Sequence, residues 1–188
     1  MLDIEEINGT NVYSETTNMS STIAVIKTKI RGFEIVKPEE LEKSFKNTEV
    51  KIKLPKRSTK KAAGYDCFAP YDFTLQSGED INIPTGIKAY MQDGEVLMVF
   101  PRSGLGFKYY TRLSNSIGVV DGDFFSNPNN DGHIHVKIRN EGTKPLTVKQ
   151  GEAFCQFIFM PFLLADSDDF NTGNERVGGF GSTTAASD

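Results

Sequence analysis

Residues 101–124 read PRSGLGFKYYTRLSNSIGVVDGDF and hold the densest chemistry in the chain. Arg102-Ser103-Gly104 joins a fixed cation, a hydroxyl donor and a residue that lets a ligand approach the backbone. Arginine presents a planar fork of donors to anionic oxygens, so the trio suits a phosphate or oligophosphate. Asp121-Gly122-Asp123-Phe124 places two carboxylates and a ring around a glycine. A phosphate clamp that leads into an acidic turn is what hydrolysis of a nucleotide phosphate requires. The same residues also fit a surface strand followed by a hairpin with solvated acids, and the segment alone leaves both open.

The elements that must hold these groups read as β-strands. Val50, Ile52 and Leu54 alternate with Lys51 and Lys53. Further short runs are expected near 72–75, 80–83, 86–91, 95–100, 118–120, 133–139, 146–148 and 153–159. Ser77-Gly78, Asp93-Gly94, Asn140-Glu141-Gly142 and Gln150-Gly151 punctuate them as turns. Upstream, Thr22–Val36 alternates Ile26, Thr28 and Ile30 against Lys27, Lys29 and Arg31, the pattern of a half-buried strand. Pro38-Glu39-Glu40 opens the one helix expected, with proline in the first turn and acids at its positive end. Leu41 and Phe45 make its apolar face. Many short strands with one small helix indicate an all-β jelly roll or distorted barrel.

Residues 1–21 are rich in Asn, Thr and Ser and read as a flexible extension; residues 22–172 form the β domain. The tail from 173 to 188 holds two apolar residues, Val177 and Phe180, beyond its small ones. Its Gly-Gly-Phe-Gly-Ser-Thr section suits either a lid over a ligand or an unstructured terminus. With 21 basic and 25 acidic residues, the chain is a poor general nucleic-acid binder, a mode that needs many phosphates neutralised. No apolar run spans a bilayer and no signal peptide opens the chain, so a cytoplasmic protein is expected. Cys67 and Cys155 have no metal spacing and read as buried, reduced thiols. His133 and His135 share a strand face and offer no third zinc ligand in the sequence, so a surface or core role is expected.

Five segments then fall in order: Ala62–Asp66, Pro101–Lys108, Asn115–Phe124, Gly151–Gln156 and Gly178–Thr183. Their order and content resemble the five motifs of the trimeric dUTP diphosphatase (dUTPase) family, over roughly residues 31–184. The resemblance implies a homotrimeric jelly roll that hydrolyses dUTP to dUMP and pyrophosphate with Mg²⁺. It implies sites at subunit interfaces, with the arm of one subunit closing over the site of another. Asp121 corresponds to the general base for water attack on the α-phosphorus. Arg102, Ser103 and Gly104 correspond to phosphate binders, and Gln156 to a glutamine that reaches the phosphates or the neighbouring chain. Asp66 corresponds to the carboxylate that holds hydrated Mg²⁺ through water. Asn115 and Gly118 belong to the hairpin that reads uracil. Phe180 matches the arm ring that stacks on the base, with Ser182 and Thr183 on the terminal phosphates.

Three positions depart from the family pattern. Phe124 stands under the deoxyribose where Tyr is usual. The loop Asn127–Asp131 is longer than in compact members, which points to altered site access or a partner surface. Glu175 fills the usual place of the arm arginine, with Arg176 one step closer to Phe180 and expected to reach the γ-phosphate. Two other readings stand beside the diphosphatase: a dCTP deaminase of the same fold, and a regulatory protein that uses nucleotide-gated surfaces.

Overall fold

The structure, a computed structural model, describes residues 3–7, 10–15 and 23–168. The chain divides into two compact units, Met1–Gly32 and Phe33–Asp188. In the first, β1 (Asp3–Ile7), β2 (Thr10–Glu15) and β3 (Ile23–Lys27) form an antiparallel sheet in that order. The sequence reading expected a flexible extension over residues 3–15, where the structure has strands. It also expected one strand over Thr22–Val36, where the structure has two. β3 pairs with β2, whereas β4 (Gly32–Ile35) pairs with β9 (Ile87–Tyr90), so the chain leaves one sheet for another.

The second unit opens with β4 and helix α1 (Pro38–Phe45), whose first turn carries Pro38, Glu39 and Glu40 as expected. The strands that follow are β5 (Lys56–Arg57), β6 (Tyr65–Phe68), β7 (Phe73–Leu75), β8 (Asp80–Pro84), β9 and β10 (Glu95–Pro101). A second helix, α2 (Ser103–Tyr109), comes next, where the sequence reading expected only one helix. After it come β11 (Thr111–Leu113), β12 (Gly118–Val120), a 3₁₀ turn at Gly122–Phe124, β13 (His135–Asn140), β14 (Leu146–Val148) and β15 (Ala153–Pro161). The expected strand at Val50–Leu54 is absent: Lys51 N–H bonds Pro70 O at 3.1 Å, but no ladder forms and Leu54 is exposed. Alternation alone does not make a strand where no partner edge is offered.

Five strands run in the order β12-β10-β15-β6-β5, beside a three-stranded sheet β11-β13-β8 and the pairs β14-β7 and β4-β9. Alternating inward residues build the core: Leu97 and Val99 from β10, Val136 and Ile138 from β13, Leu146 and Val148 from β14. β15 breaks the alternation. Its register slips between Ala153 and Cys155, and a bulge of this kind turns Phe154 and Cys155 inward together. Cys155 stands directly across from Cys67 of β6; both thiols are free and buried, and burial pushes Cys155 well up. Among the described residues, no helix is long and apolar enough to cross a membrane.

Candidate active site

β6, β10 and β15 bring together three of the expected site residues. Asp66 of β6 is paired with Gln156 of β15, and Gln156 is paired with Phe100 of β10. Arg102 follows the end of β10 and sets its Nε 3.2 Å from Asp66 Oδ1. Its guanidinium also donates to Ala153 O at 3.3 Å, and Gln156 Nε2 donates to Pro101 O at 3.1 Å. The result is a polar step in which a half-buried carboxylate, a guanidinium and an amide face one another. Gly64 leaves room for it, because a Cβ there would collide with the side-chain oxygen of Gln156. Ser103 and Gly104 open α2 and are exposed, with no atom within contact of a Cβ built on Gly104. An approaching anion meets open backbone at that point.

A second group gathers around β12. Asn115, Gly118, Asp121 and Phe124 all line one cavity of about 750 Å³, together with Asn82, His135 and Lys137. The last three were not foreseen from the sequence, since only the β8–β13 register places Asn82 and Lys137 side by side. Gly118 sits across from Val99 so closely that a Cβ would lie 2.8 Å from Val99 Cβ. The turn through Ser114–Ile117 returns the chain from β11, with Ser116 at φ 67° and Leu113 bridged to Ser116. Asp121 is exposed, and its carbonyl accepts the Phe124 N–H at 3.1 Å to start the 3₁₀ turn. Phe124 is buried against the core while one side lines the cavity.

Asp121 and Arg102 lie at opposite ends of one strand. β12 runs antiparallel to β10, pairing Gly118 with Val99 and Val120 with Leu97. Each step toward Asp121 is therefore a step away from Arg102. Asp121 comes beside Val96, six residues short of Arg102, a span of roughly 20 Å at the rise of an extended strand. A carboxylate that activates water must stand within one water of the reacting phosphorus. Within one chain, Asp121 and Arg102 do not meet that condition for a common phosphate.

His133 and His135 gain the third partner that the sequence did not offer. Glu40 of α1 places Oε1 3.1 Å from His133 Nδ1, and the two imidazole rings lie 4.5 Å apart. Glu40, His133 and His135 have the composition of a metal site. The hydrogen bonding opposes that use. Gly86 N–H donates to His133 Nε2 at 2.8 Å, so in the neutral ring Nδ1 carries the proton and donates to Glu40. A metal on Nδ1 would need an imidazolate, because a ligating histidine normally keeps N–H on its other nitrogen. Glu40 and His133 form a buried hydrogen-bonded tie between α1 and the segment that leads into β13, with the half-buried His135 ring packed beside them. Burial lowers His133, overriding the raising effect of Glu40, and lowers His135 to about 4, aided by the neighbouring His133.

Arg176, Phe180, Ser182 and Thr183 lie outside the described residues.

Comparison with known proteins bears on this geometry. The dUTPase family model matches residues 50–184. A deoxyuridine 5'-triphosphate nucleotidohydrolase of Lactococcus lactis is 46% identical over 157 residues, covering 84% of this chain and 99% of its own length. The enzyme of the same name from Desulfitobacterium hafniense is 36% identical over 137 residues, covering 70% and 87% respectively. The crystal structure of a dUTPase from Streptococcus mutans superposes with a TM-score of 0.58 at 42% identity, covering 72% of this chain and 98% of that one. A dUTPase of Staphylococcus aureus phage phi11 superposes with a TM-score of 0.56 at 16% identity, covering 77% of this chain and all of that one, a likeness of fold.

Proposed function

The chain belongs to the dUTPase family, and from that premise we propose that it hydrolyses dUTP to dUMP and pyrophosphate in sites shared between subunits of a homotrimer. The observation that carries this reading is the separation of Asp121 from Arg102 along β10. A phosphate-binding half and a water-activating half that point to opposite ends of one strand are both used if each completes a neighbour's site.

In this division of labour, Arg102 and the exposed Ser103 and Gly104 receive the phosphate oxygens. Arginine suits the task because its fork stays charged and keeps its geometry as charge moves onto pyrophosphate. Gln156, held by Pro101 O, sets the floor beneath them. Asn115 and Gly118, in the cavity with Phe124, take the base and sugar. Phe124 packs against C2′ and leaves no room for a ribose hydroxyl. Asp121 takes a proton from the attacking water as it closes on the α-phosphorus. The arm residues Arg176, Phe180, Ser182 and Thr183 cover the substrate, with the ring on the base and the polar groups on the terminal phosphates.

Asp66 fits the role of an outer-sphere partner for Mg²⁺. It is a single carboxylate, about one-fifth exposed, already beside one cation. Mg²⁺ keeps several waters and takes few protein ligands when substrate phosphates supply the rest. Such an ion, when bound, neutralises phosphate charge; the carboxylate would orient its waters.

The test is pyrophosphate release from dUTP with Mg²⁺. Wild type turns over, and Asp121→Asn loses about 10²–10⁴-fold. An inert wild type, or a variant as fast as wild type, would overturn the reading. Deletion of residues 173–188 probes the arm separately; unchanged turnover would remove its role as a cover.

A further inference from the structure

The loop at residues 127–132 is built inward. Asn127, Asp131 and Gly132 are buried, while Pro128 and Asn129 form its exposed tip. Asn127 uses every polar group on its side chain. Its Nδ2 donates to Phe124 O at 2.9 Å and to Asn130 Oδ1 at 2.8 Å. Its Oδ1 accepts from Asn129 N–H at 3.1 Å and Asn130 N–H at 3.2 Å. The bond to Phe124 O ties the loop to the 3₁₀ turn; the other three shape the loop itself.

The opposite wall is equally tight. Gly132 has φ +77° and lies against the same carbonyl, so a Cβ there would sit 2.7 Å from Phe124 O and 2.8 Å from Ser126 N. The Phe124 carbonyl thus accepts from Asn127 on one side and is walled by Gly132 on the other. Asp131 anchors the loop behind them through Lys88, whose Nζ also bonds Ser126 Oγ at 3.1 Å.

We propose that Asn127 is a positioning residue for sugar selection: by holding the Phe124 carbonyl it fixes the ring against the cavity and so sets how strongly deoxyribonucleotides are preferred over ribonucleotides. The inference rests on the reading of Phe124 as the sugar platform. A ring that must exclude one hydroxyl has to be held closely, and the 2.9 Å side-chain bond adds to the longer 3.4 Å bond that the Asn127 backbone N–H makes to the same carbonyl.

The test compares kcat/KM for dUTP with that for UTP in wild type, Asn127→Asp, Asn127→Ser and Phe124→Ala. Asn127→Asp keeps both acceptor contacts that shape the loop and loses both donated ones. Asn127→Ser, shorter and uncharged, carries the same test if the aspartate is not tolerated. The dUTP-to-UTP ratio should fall by about tenfold or more in a variant that retains the wild-type assembly and cooperative melt. A merely structural role lowers both substrates together and leaves the ratio in place, which would overturn the proposal. If wild type does not cleave dUTP, the function itself fails. If Phe124→Ala leaves the ratio unchanged, the sugar role of the ring fails and takes the positioning role with it.

Discussion

Arg102 Nε lies 3.2 Å from Asp66 Oδ1, so the residue assigned to phosphate and the residue assigned to the metal hold each other before either ligand arrives. The pair is partly open, with the arginine 42% and the aspartate 18% exposed, and open pairs of this kind contribute little to stability. On the proposed reading this is a resting arrangement: with a triphosphate and Mg²⁺ bound, the guanidinium would serve phosphate and the carboxylate would help hold the hydrated ion. Asp66→Asn keeps the shape and removes the charge. The Mg²⁺ concentration for half-maximal turnover should then rise about 10–100-fold with little change in thermal midpoint. A variant with the wild-type Mg²⁺ requirement would show that Asp66 serves only Arg102.

Shared sites predict complementation. Asp121→Asn and Arg102→Gln should each be inactive alone. Co-expressed, they should regain turnover, because a site that takes Arg102 from one subunit and Asp121 from its neighbour is intact in some mixed assemblies. Random mixing leaves about one quarter of sites whole. Activity no higher than the two single variants would place both residues in a site completed within one chain.

The strands were legible because one face of each is buried and the other wet, a period-2 signal that β10, β13 and β14 display clearly. The chemistry was legible where it is local, as in Arg102-Ser103-Gly104 and Asp121-Gly122-Asp123. Pairings set by register were not. Asp66 meets Gln156, and Glu40 meets His133 across 93 residues, through strand and helix placements that leave no trace in either segment. Helix α2 was hidden by its two glycines, which are poor helix formers, and its residues suit a loop equally well. The loop at 127–131 read as a longer segment bearing on site access or a partner surface; the burial of Asn127 and Asp131 is set by Phe124 and Lys88, which the loop's own residues do not reveal.

Gly118 tests how closely β12 must approach β10. A Cβ at this position would stand 2.8 Å from Val99 Cβ and 2.9 Å from Val99 Cγ2, in a pair with no flexible tip to move aside. Gly118→Ala should push the strands apart, costing about 1–3 kcal/mol at a fixed protein concentration and raising KM for dUTP. Denaturant midpoints and steady-state kinetics measure the two effects. A variant with neither would mean that the hairpin shifts freely.

His133 and His135 predict an acid limit on stability. Both are held below the ordinary 6.5, chiefly by burial, with His135 near 4. Above pH 6.5 both are neutral in the folded and unfolded chain, and pH has no leverage through them. Between 6.5 and about 4 the unfolded chain takes protons that the folded one refuses, so stability falls as pH falls. The slope per histidine is at most about 1.4 kcal/mol per pH unit, and smaller for His135, which is partly open to solvent. His135→Asn should flatten the fall in melting temperature across this window. An unchanged slope would assign the acid sensitivity to other groups.

Lys88 and Asp131 form a buried ion pair at 3.0 Å, with side chains 8% and 7% exposed. Lys37 N–H adds a bond to Asp131 Oδ2 at 2.8 Å, and the Lys88 ammonium lies 4.9 Å from the Phe125 ring centroid. Asp131→Ala strands a buried ammonium and a backbone donor together, and should cost about 3–5 kcal/mol. Lys88→Met should cost less, because Asp131 keeps the Lys37 N–H and the Lys37 ammonium at 3.7 Å. The double variant Lys88→Met/Asp131→Ala should cost clearly less than the sum of the two single changes, since each removes the charge that the other would abandon. Chemical denaturation of the three proteins decides it. A small effect of Asp131→Ala would show that Lys88 reaches solvent when its partner goes, and that Asn127 and Gly132 shape the loop behind Phe124 without the ion pair.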